Sequence, residues 1–212
     1  MIIHQLKPMD TMNVRIGIPG SLKISTTSEQ PKITVQFSSY DESRIILDIV
    51  ENNQNVEILL SDRLRGSNSS IHSDIEIALP QNLLNSLKIK AVCSNMSIGP
   101  VSVNKLKIHN IKGKLEILPE SHIRNLKLIL VESEAAVVIS NDIDRAFVKA
   151  IQCDTTLKTN GFHGSIDINI VGARASINDM SIQNGHFVLG EINKNNKLLC
   201  EVISGRFSLD QR

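Results

Sequence analysis

The segment LKIKAVCSNMSIGPVSVNKLKIHNIKGKLEIL, residues 87–118, contains the pattern that decides the fold. An alternating apolar–polar run opens at Leu87, and similar runs begin again every 19 to 21 residues. The runs are LKIKAVC at 87, LKIHNIK at 106, LKLILVE at 126, FVKAIQC at 147, IDINIVG at 166, FVLGEIN at 187 and FSLDQR at 207. Alternation with a period of two predicts short strands, and their recurrence predicts units that stack and share one core.

Turn-forming pairs separate these runs, among them Gly99-Pro100, Lys112-Gly113 and Asn160-Gly161. The sequence therefore predicts an all-β fold, a single-stranded β-solenoid (β-helix) with rungs of about 20 residues. An antiparallel sandwich with hairpins about ten residues apart is the alternative, and periodicity alone leaves it open.

Residues 1–86 follow the repeat poorly but contain strand-like runs separated by polar, turn-rich segments. These runs are VRIGI at 14, ITVQF at 33, RIILDIV at 44, VEILL at 56 and IEIAL at 75. We interpret residues 1–86 as a strand-rich N-terminal section that caps the stack or adds irregular rungs to the same domain. Residues 87–212 are interpreted as the solenoid repeats.

Composition narrows the classes of protein further. With 41% apolar, 21% charged and 3% aromatic residues, the chain has enough apolar surface to fold, and its many β-branched residues favour strands. A net charge of +1 excludes a uniformly basic surface. The opening MIIHQLKPMD lacks the features of a secretion signal. No run approaches the roughly 18 apolar residues of a membrane span. The three cysteines form no CxxC pair. We therefore expect a cytoplasmic protein.

The segment IEIALP at 75, followed by LKIKAVCSNMSIGPV at 87 and LKIHNIKGKLEIL at 106, resembles the bacterial DUF4097 family of β-strand repeat proteins. That family is described as "putative adhesins" of unknown function. The resemblance covers roughly residues 75–190, and Lys112-Gly113 stands in the slot of the family's Ser-Gly pair. It implies a solenoid fold with a binding or scaffold role.

Lysines are unevenly placed along the chain. Between Lys88 and Lys114 there are six lysines and no acidic residue. On the repeat, Lys88, Lys107 and Lys127 share one outward position, and Lys90 and His109 share the outward position two residues on. Stacked at about 4.8 Å, they would form a basic ladder able to meet a phosphate backbone, an anionic lipid surface or an acidic glycan. The plainer interpretation, preferred on sequence alone because no aromatic residue lies among them, is that these lysines keep an exposed sheet soluble.

Other reactive residue types form no convincing constellation. Cys93 and Cys153 occupy the same position three rungs apart, too far for a disulfide, so we expect buried or half-buried free thiols. The six histidines make no HxH or HxxxH pair, and no nucleotide-binding motif occurs, so neither a metal nor a cofactor is expected. Asp142 and Asp144 beside Arg145 fall in a predicted turn, where Asn-Asp sequences are common.

These observations favour a non-enzymatic binding or scaffold protein whose partner is another protein or an anionic surface. The first alternative is a self-assembling structural protein, similar to bactofilins, that stacks end to end through its open edges as a homo-oligomer. A β-helix enzyme acting on carbohydrate is the second alternative, with Asp142 and Asp144 as its acid–base pair.

Overall fold

Strands form all the regular structure in the described part of the chain. The structure, a computed structural model, describes residues 1–37, 44–63, 71–81, 84–139, 143–159, 162, 165–178, 180–189 and 196–211. Eighteen strands and no helix occur within these ranges. The prediction of an all-β chain is therefore confirmed.

The strands belong to one large sheet that contains both parallel and antiparallel pairs and is not closed. Their bounds in chain order are β1 (Ile2–Gln5), β2 (Thr11–Ile16), β3 (Gly20–Thr27), β4 (Lys32–Phe37), β5 (Ile45–Asn52), β6 (Asn55–Asp62), β7 (Ser73–Pro80), β8 (Leu84–Val92), β9 (Ser94–Ile98), β10 (Ser102–Ile111), β11 (Lys114–Ile117), β12 (His122–Val131), β13 (Glu134–Ile139), β14 (Arg145–Thr159), β15 (Ser165–Ile177), β16 (Met180–Ile182), β17 (Gly185–Leu189) and β18 (Lys197–Gln211).

Parallel pairing aligns equivalent residues of the repeats. Leu87 of β8 lies beside Leu106 of β10, which lies beside Leu126 of β12. We call the strands joined in this way the first series: β6, β2, β8, β10, β12 and the first halves of β14, β18 and β15. Most of its inward residues are aliphatic, and Ile89 and Ile108 among them are fully buried.

A second series of parallel pairs runs alongside the first. It comprises β7, β3, β9, β11, β13 and the second halves of β14, β18 and β15. Met96, Leu115 and Ala135 line up across β9, β11 and β13 and are buried. Inward residues of both series pack into a single hydrophobic core, in which aliphatic side chains stack above one another.

A bend joins the two series at the same position in successive units. Cys93, Lys112, Glu132 and Gln152 each have a left-handed backbone there, with φ between 47° and 55°. The bends stack by backbone hydrogen bonds, since the Cys93 amide donates to the Ile111 carbonyl at 2.7 Å. The next residue in each unit is small and lies against its counterpart in the neighbouring unit; these residues are Ser94, Gly113, Ser133 and Cys153.

The fourth repeat unit lies one residue out of the predicted register. The pattern places Phe147 inward, but Ala146 is the residue beside Leu126. Phe147 is therefore on the outer face, as is Lys149, which pairs with Glu201 at 3.0 Å although the pattern placed it inward. The error arose because alanine is a weaker apolar signal than the phenylalanine next to it. A shift of one residue exchanges the two faces of a strand.

Chain order and spatial order differ at the C-terminal end. Strand β18 lies between β14 and β15, so FSLDQR, the last run in the sequence, is not at the end of the sheet. Phe207 lies between Thr155 of β14 and Ala175 of β15 and is buried. The FVLGEIN run is not a parallel rung either, because β17 pairs antiparallel with β15.

The N-terminal residues join the same sheet in a similar exchange of order. Strand β2 lies between β6 and β8, with Met12 beside Leu87. Antiparallel strands flank the parallel ones at both ends: β5 pairs with β6 and β4 with β7, while β16 and β17 pair with β15. Whether residues 1–86 act as a separate cap stays a prediction.

The cysteines differ from the prediction that two of them are equivalent. Cys93 is at the left-handed bend and is exposed, whereas Cys153 follows the bend of its own unit and is buried. Cys93 and Cys153 were assigned the same position of the repeat because the sequence pattern placed β14 one residue out of register. Cys200 is also buried, and all three thiols are free.

Candidate functional site

An open groove of about 900 Å³ crosses the outer face of the first series. Its lining combines six cationic side chains with two apolar side chains, the half-buried Phe147 and the exposed Leu199. The lining residues are Ser86, Lys88, Lys105, Leu106, Lys107, Asn125, Leu126, Lys127, Arg145, Ala146, Phe147, Lys197 and Leu199. We call this site the basic groove.

The parallel register positions the cations of the basic groove. Lys88, Lys107 and Lys127 are direct neighbours on β8, β10 and β12, as the sequence repeat predicts. Arg145 and Lys197 are neighbours on β14 and β18. Because parallel strands are about 4.8 Å apart, each cation lies close to another of the same sign.

Lys90 and His109 are neighbours on β8 and β10, two residues further along the strands. They lie beside the basic groove but do not line it. The structure therefore brings together the three lysines of the predicted ladder and leaves these two residues at its margin.

The sequence did not predict the other three cations of the groove or its two outward apolar residues: Lys105, Arg145, Lys197, Phe147 and Leu199. Phe147 was placed inward by the register error, and the unit that begins at Lys197 was not identified as a rung. Lys105 and Lys107 flank Leu106, so the alternation itself carried a signal for Lys105.

The cations of the groove lack acidic partners, in contrast to those of the second series. Among the described residues, none of the six has a carboxylate within 4.0 Å. At the bend and on the second series, charges of opposite sign pair across adjacent strands: Lys23–Glu76 at 3.3 Å, Lys112–Glu132 at 3.4 Å, Lys114–Glu134 at 2.8 Å, and Asp154–Arg206. Since like charges on neighbouring strands destabilise a sheet, the unpaired cations of the groove represent a cost that these ion pairs avoid.

Phe147 is the aromatic residue of the groove. The ammonium group of Lys127 lies 5.3 Å from the centre of its ring. Leu199 is beside Phe147 on β18 and is 36% exposed. The basic groove thus has an apolar floor at the end where β14 and β18 meet.

The pKa of His109, at the margin of the groove, is shifted by burial and by two neighbouring cations. Partial burial and the positive charges of Lys90 and Lys107 lower the pKa of His109 below its ordinary value. Removing one neighbouring charge favours the protonated imidazole, so Lys90→Gln should raise the pKa of His109. An NMR titration of the imidazole measures the shift, and Lys158→Gln on the second series should leave it unchanged. An equal pKa of His109 in the two variants would contradict the effect assigned to the Lys90 charge.

No activated nucleophile or metal site emerges from the described residues. Burial raises the pKa of the Cys153 and Cys200 thiols, which keeps them protonated and unreactive. In the described ranges no three His, Cys, Asp or Glu residues are grouped so that they could hold a metal ion. Asp142 lies outside the described residues, so its proposed pairing with Asp144 is not described. A helix that is both long and apolar enough to cross a membrane is likewise absent from the described ranges.

Comparison with known proteins places the fold but not the function. No family model matches the chain, and no curated protein matches it. A "putative cell adhesion protein" from Clostridium sporogenes has a similar solved structure, with a TM-score of 0.59, 14% identity, and coverage of 100% of this chain and 98% of that one. A "putative adhesin" from Bacteroides fragilis is similar with a TM-score of 0.50, 12% identity, and coverage of 98% and 95%. At these identities the likeness concerns the fold alone.

Proposed function

We propose that this chain is a non-enzymatic, adhesin-like binding protein whose basic groove engages an anionic ligand. The scaffold we propose is a solenoid in which each unit of about 20 residues adds one strand to each series. The resemblance to DUF4097 and the names of the two similar solved structures support an adhesin-like role. A cytoplasmic location, expected from the sequence, remains part of the proposal.

The observation that carries this proposal is the contrast between the basic groove and the other charged positions of the sheet. The same chain pairs Lys23, Lys112 and Lys114 with acids on adjacent strands. On the first series it stacks Lys88, Lys107 and Lys127 without such partners. If lysines served only solubility, intermixed acids would serve equally well at a lower electrostatic cost. A bound anion supplies the missing negative charge.

End-to-end stacking remains the structural alternative. A solenoid stacks most readily when its terminal strands match in direction, and here antiparallel strands β5 and β17 flank the first series. The expected result is a monomeric sedimentation profile that does not change with protein concentration. Concentration-dependent fibres in electron micrographs would favour the structural alternative instead.

Neutralising the ladder tests the proposed function. The triple variant Lys88→Gln, Lys107→Gln, Lys127→Gln should bind heparin, a general polyanion probe, at least tenfold more weakly than the wild type. Three charges removed from one row account for this loss, since electrostatic binding depends on the number of cations that meet the ligand. Affinity is measured by calorimetry at fixed ionic strength, and circular dichroism checks that the fold persists.

A matched control removes the same net charge elsewhere. The triple variant Lys23→Gln, Lys32→Gln, Lys158→Gln changes lysines outside the groove. It should keep heparin affinity within about twofold, because charges beyond a Debye length are screened. Equal loss in the two triple variants would show that net charge alone drives binding, and the groove would then have no specific role.

A further inference from the structure

We infer that the ligand of the basic groove is an extended acidic polysaccharide, a chain of sugar acids that lies across successive strands. This inference rests on the proposed anion-binding function and names the class of ligand. Three features of the groove support it: the spacing of its cations, its apolar floor and the acidic residues that bound it.

Cations recur on every strand across the groove. Five adjacent strands contribute at least one each, namely β8 with Lys88, β10 with Lys105 and Lys107, β12 with Lys127, β14 with Arg145 and β18 with Lys197. The cations lie in two offset rows, with Lys88, Lys107 and Lys127 in one and Lys105, Arg145 and Lys197 two residues earlier along the strands. At about 4.8 Å per strand the five strands together span roughly 19 Å. A sugar residue in an extended chain covers a length close to one strand spacing. A polymer with one carboxylate per sugar can therefore set a negative charge against each strand.

The apolar floor distinguishes a sugar chain from other polyanions. Phe147 and Leu199 are neighbours on the floor, and sugar rings have C–H faces that pack against such groups. A polyphosphate chain has no apolar face to use them. Single-stranded nucleic acid stacks its bases on several aromatic platforms, whereas Phe147 is the aromatic residue in the described lining.

Acidic residues lie beyond both ends of the row that begins with Lys88, Lys107 and Lys127 and continues through Phe147 and Leu199. Beyond Leu199, the next residue across the strands is Asp167 of β15. In the other direction, Lys88 is followed by Asn13 of β2 and then by Glu57 of β6. A polyanion gains contacts as it lengthens over the five cationic strands and meets like charge beyond them. The groove thus sets a ligand length of about five sugar units, one per cationic strand.

A series of oligogalacturonates of two to eight sugar units tests this assignment on the full chain by calorimetry. Affinity should rise with each unit up to about five and change by less than twofold thereafter. Fully methyl-esterified oligomers of the same length, which lack the charges, should bind at least tenfold more weakly. Polyphosphate with the same number of charges should bind more weakly than the five-unit oligogalacturonate.

Substitution of the apolar floor separates sugar recognition from charge recognition. Phe147→Ala should weaken five-unit oligogalacturonate binding about tenfold and polyphosphate binding by less than twofold. Ile203→Ala, which truncates an exposed aliphatic residue elsewhere on β18, should alter neither ligand's affinity.

The outcomes distinguish this inference from the proposed function. If polyphosphate binds through the lysines while oligogalacturonate does not, anion binding stands and the polysaccharide is excluded. Equal effects of Phe147→Ala on both ligands, or affinity that keeps rising from five to eight units, would also overturn the assignment. If no polyanion binds, both the inference and the proposed function are wrong.

Discussion

Replacing Gly113 by alanine is expected to lower the free energy of unfolding by about 3 kcal/mol or more, an overpacking effect at the upper end of the usual range. A Cβ atom built on Gly113 would lie 2.1 Å from the backbone carbonyl oxygen of Ser94. The backbone of Gly113 is not left-handed, so alanine introduces no backbone strain there. The expected loss of stability therefore arises from the steric clash alone.

Neighbouring backbone cannot yield easily at this bend. The Gly113 carbonyl accepts from the Glu134 amide at 2.9 Å, and the Lys112 amide donates to the Val131 carbonyl at 3.0 Å. On the other side, the Cys93 amide donates to the Ile111 carbonyl at 2.7 Å. Moving Ser94 away from a new methyl group would stretch bonds on both neighbouring strands. A rigid neighbour turns a small steric overlap into a large free-energy cost.

Gly17→Ala provides the matched control for this prediction. Its backbone is also not left-handed, and the nearest atoms to a new Cβ are 3.7 Å away, an ordinary contact. Gly17→Ala should therefore change stability by no more than about 0.5 kcal/mol. Urea denaturation followed by circular dichroism measures both variants. Similar stability of Gly113→Ala and the wild type would contradict the stacked-bend geometry.

The sequence identified the parallel register where each unit opens on a strong apolar residue. Leu87, Leu106 and Leu126 were aligned correctly because alternation with turn signals at fixed spacing carries that information. The register failed at Ala146, where a small inward residue is followed by an outward phenylalanine. Local hydrophobicity cannot tell which of two adjacent apolar residues faces the core, and the neighbouring strand decides.

The order of strands at the ends could not be predicted from the repeat. Insertion of β18 between β14 and β15 depends on long-range pairing, which the pattern of one segment does not contain. Part of the basic groove depends on the same insertion. Lys197 and Leu199 line the groove only because β18 lies beside β14 in this register. The lysine ladder was visible in the sequence, and its apolar floor was not.

Replacement of a buried asparagine in the core is the second substitution with a large expected effect, and it should raise the free energy of unfolding. Asn110 is 0% exposed, and neither polar atom of its side chain has a hydrogen-bond partner among the described residues. Its neighbours across the strands are Ala91 of β8 and Leu130 of β12, both apolar and buried. An amide buried without partners costs about 1–3 kcal/mol, so this position lowers the stability of the fold.

Asn110→Leu should raise the free energy of unfolding by about 2 kcal/mol, because leucine has the same number and branching of side-chain heavy atoms and no desolvation penalty. The reciprocal variant, Leu130→Asn, places a second amide in the same row and should lower stability by about 3 kcal/mol through lost apolar burial and an unpaired polar group. Denaturant unfolding of both variants, compared with the wild type, gives the two signs directly. Destabilisation by Asn110→Leu would mean that an internal water satisfies the amide, since removing a paired buried group costs stability whereas removing an unpaired one restores it.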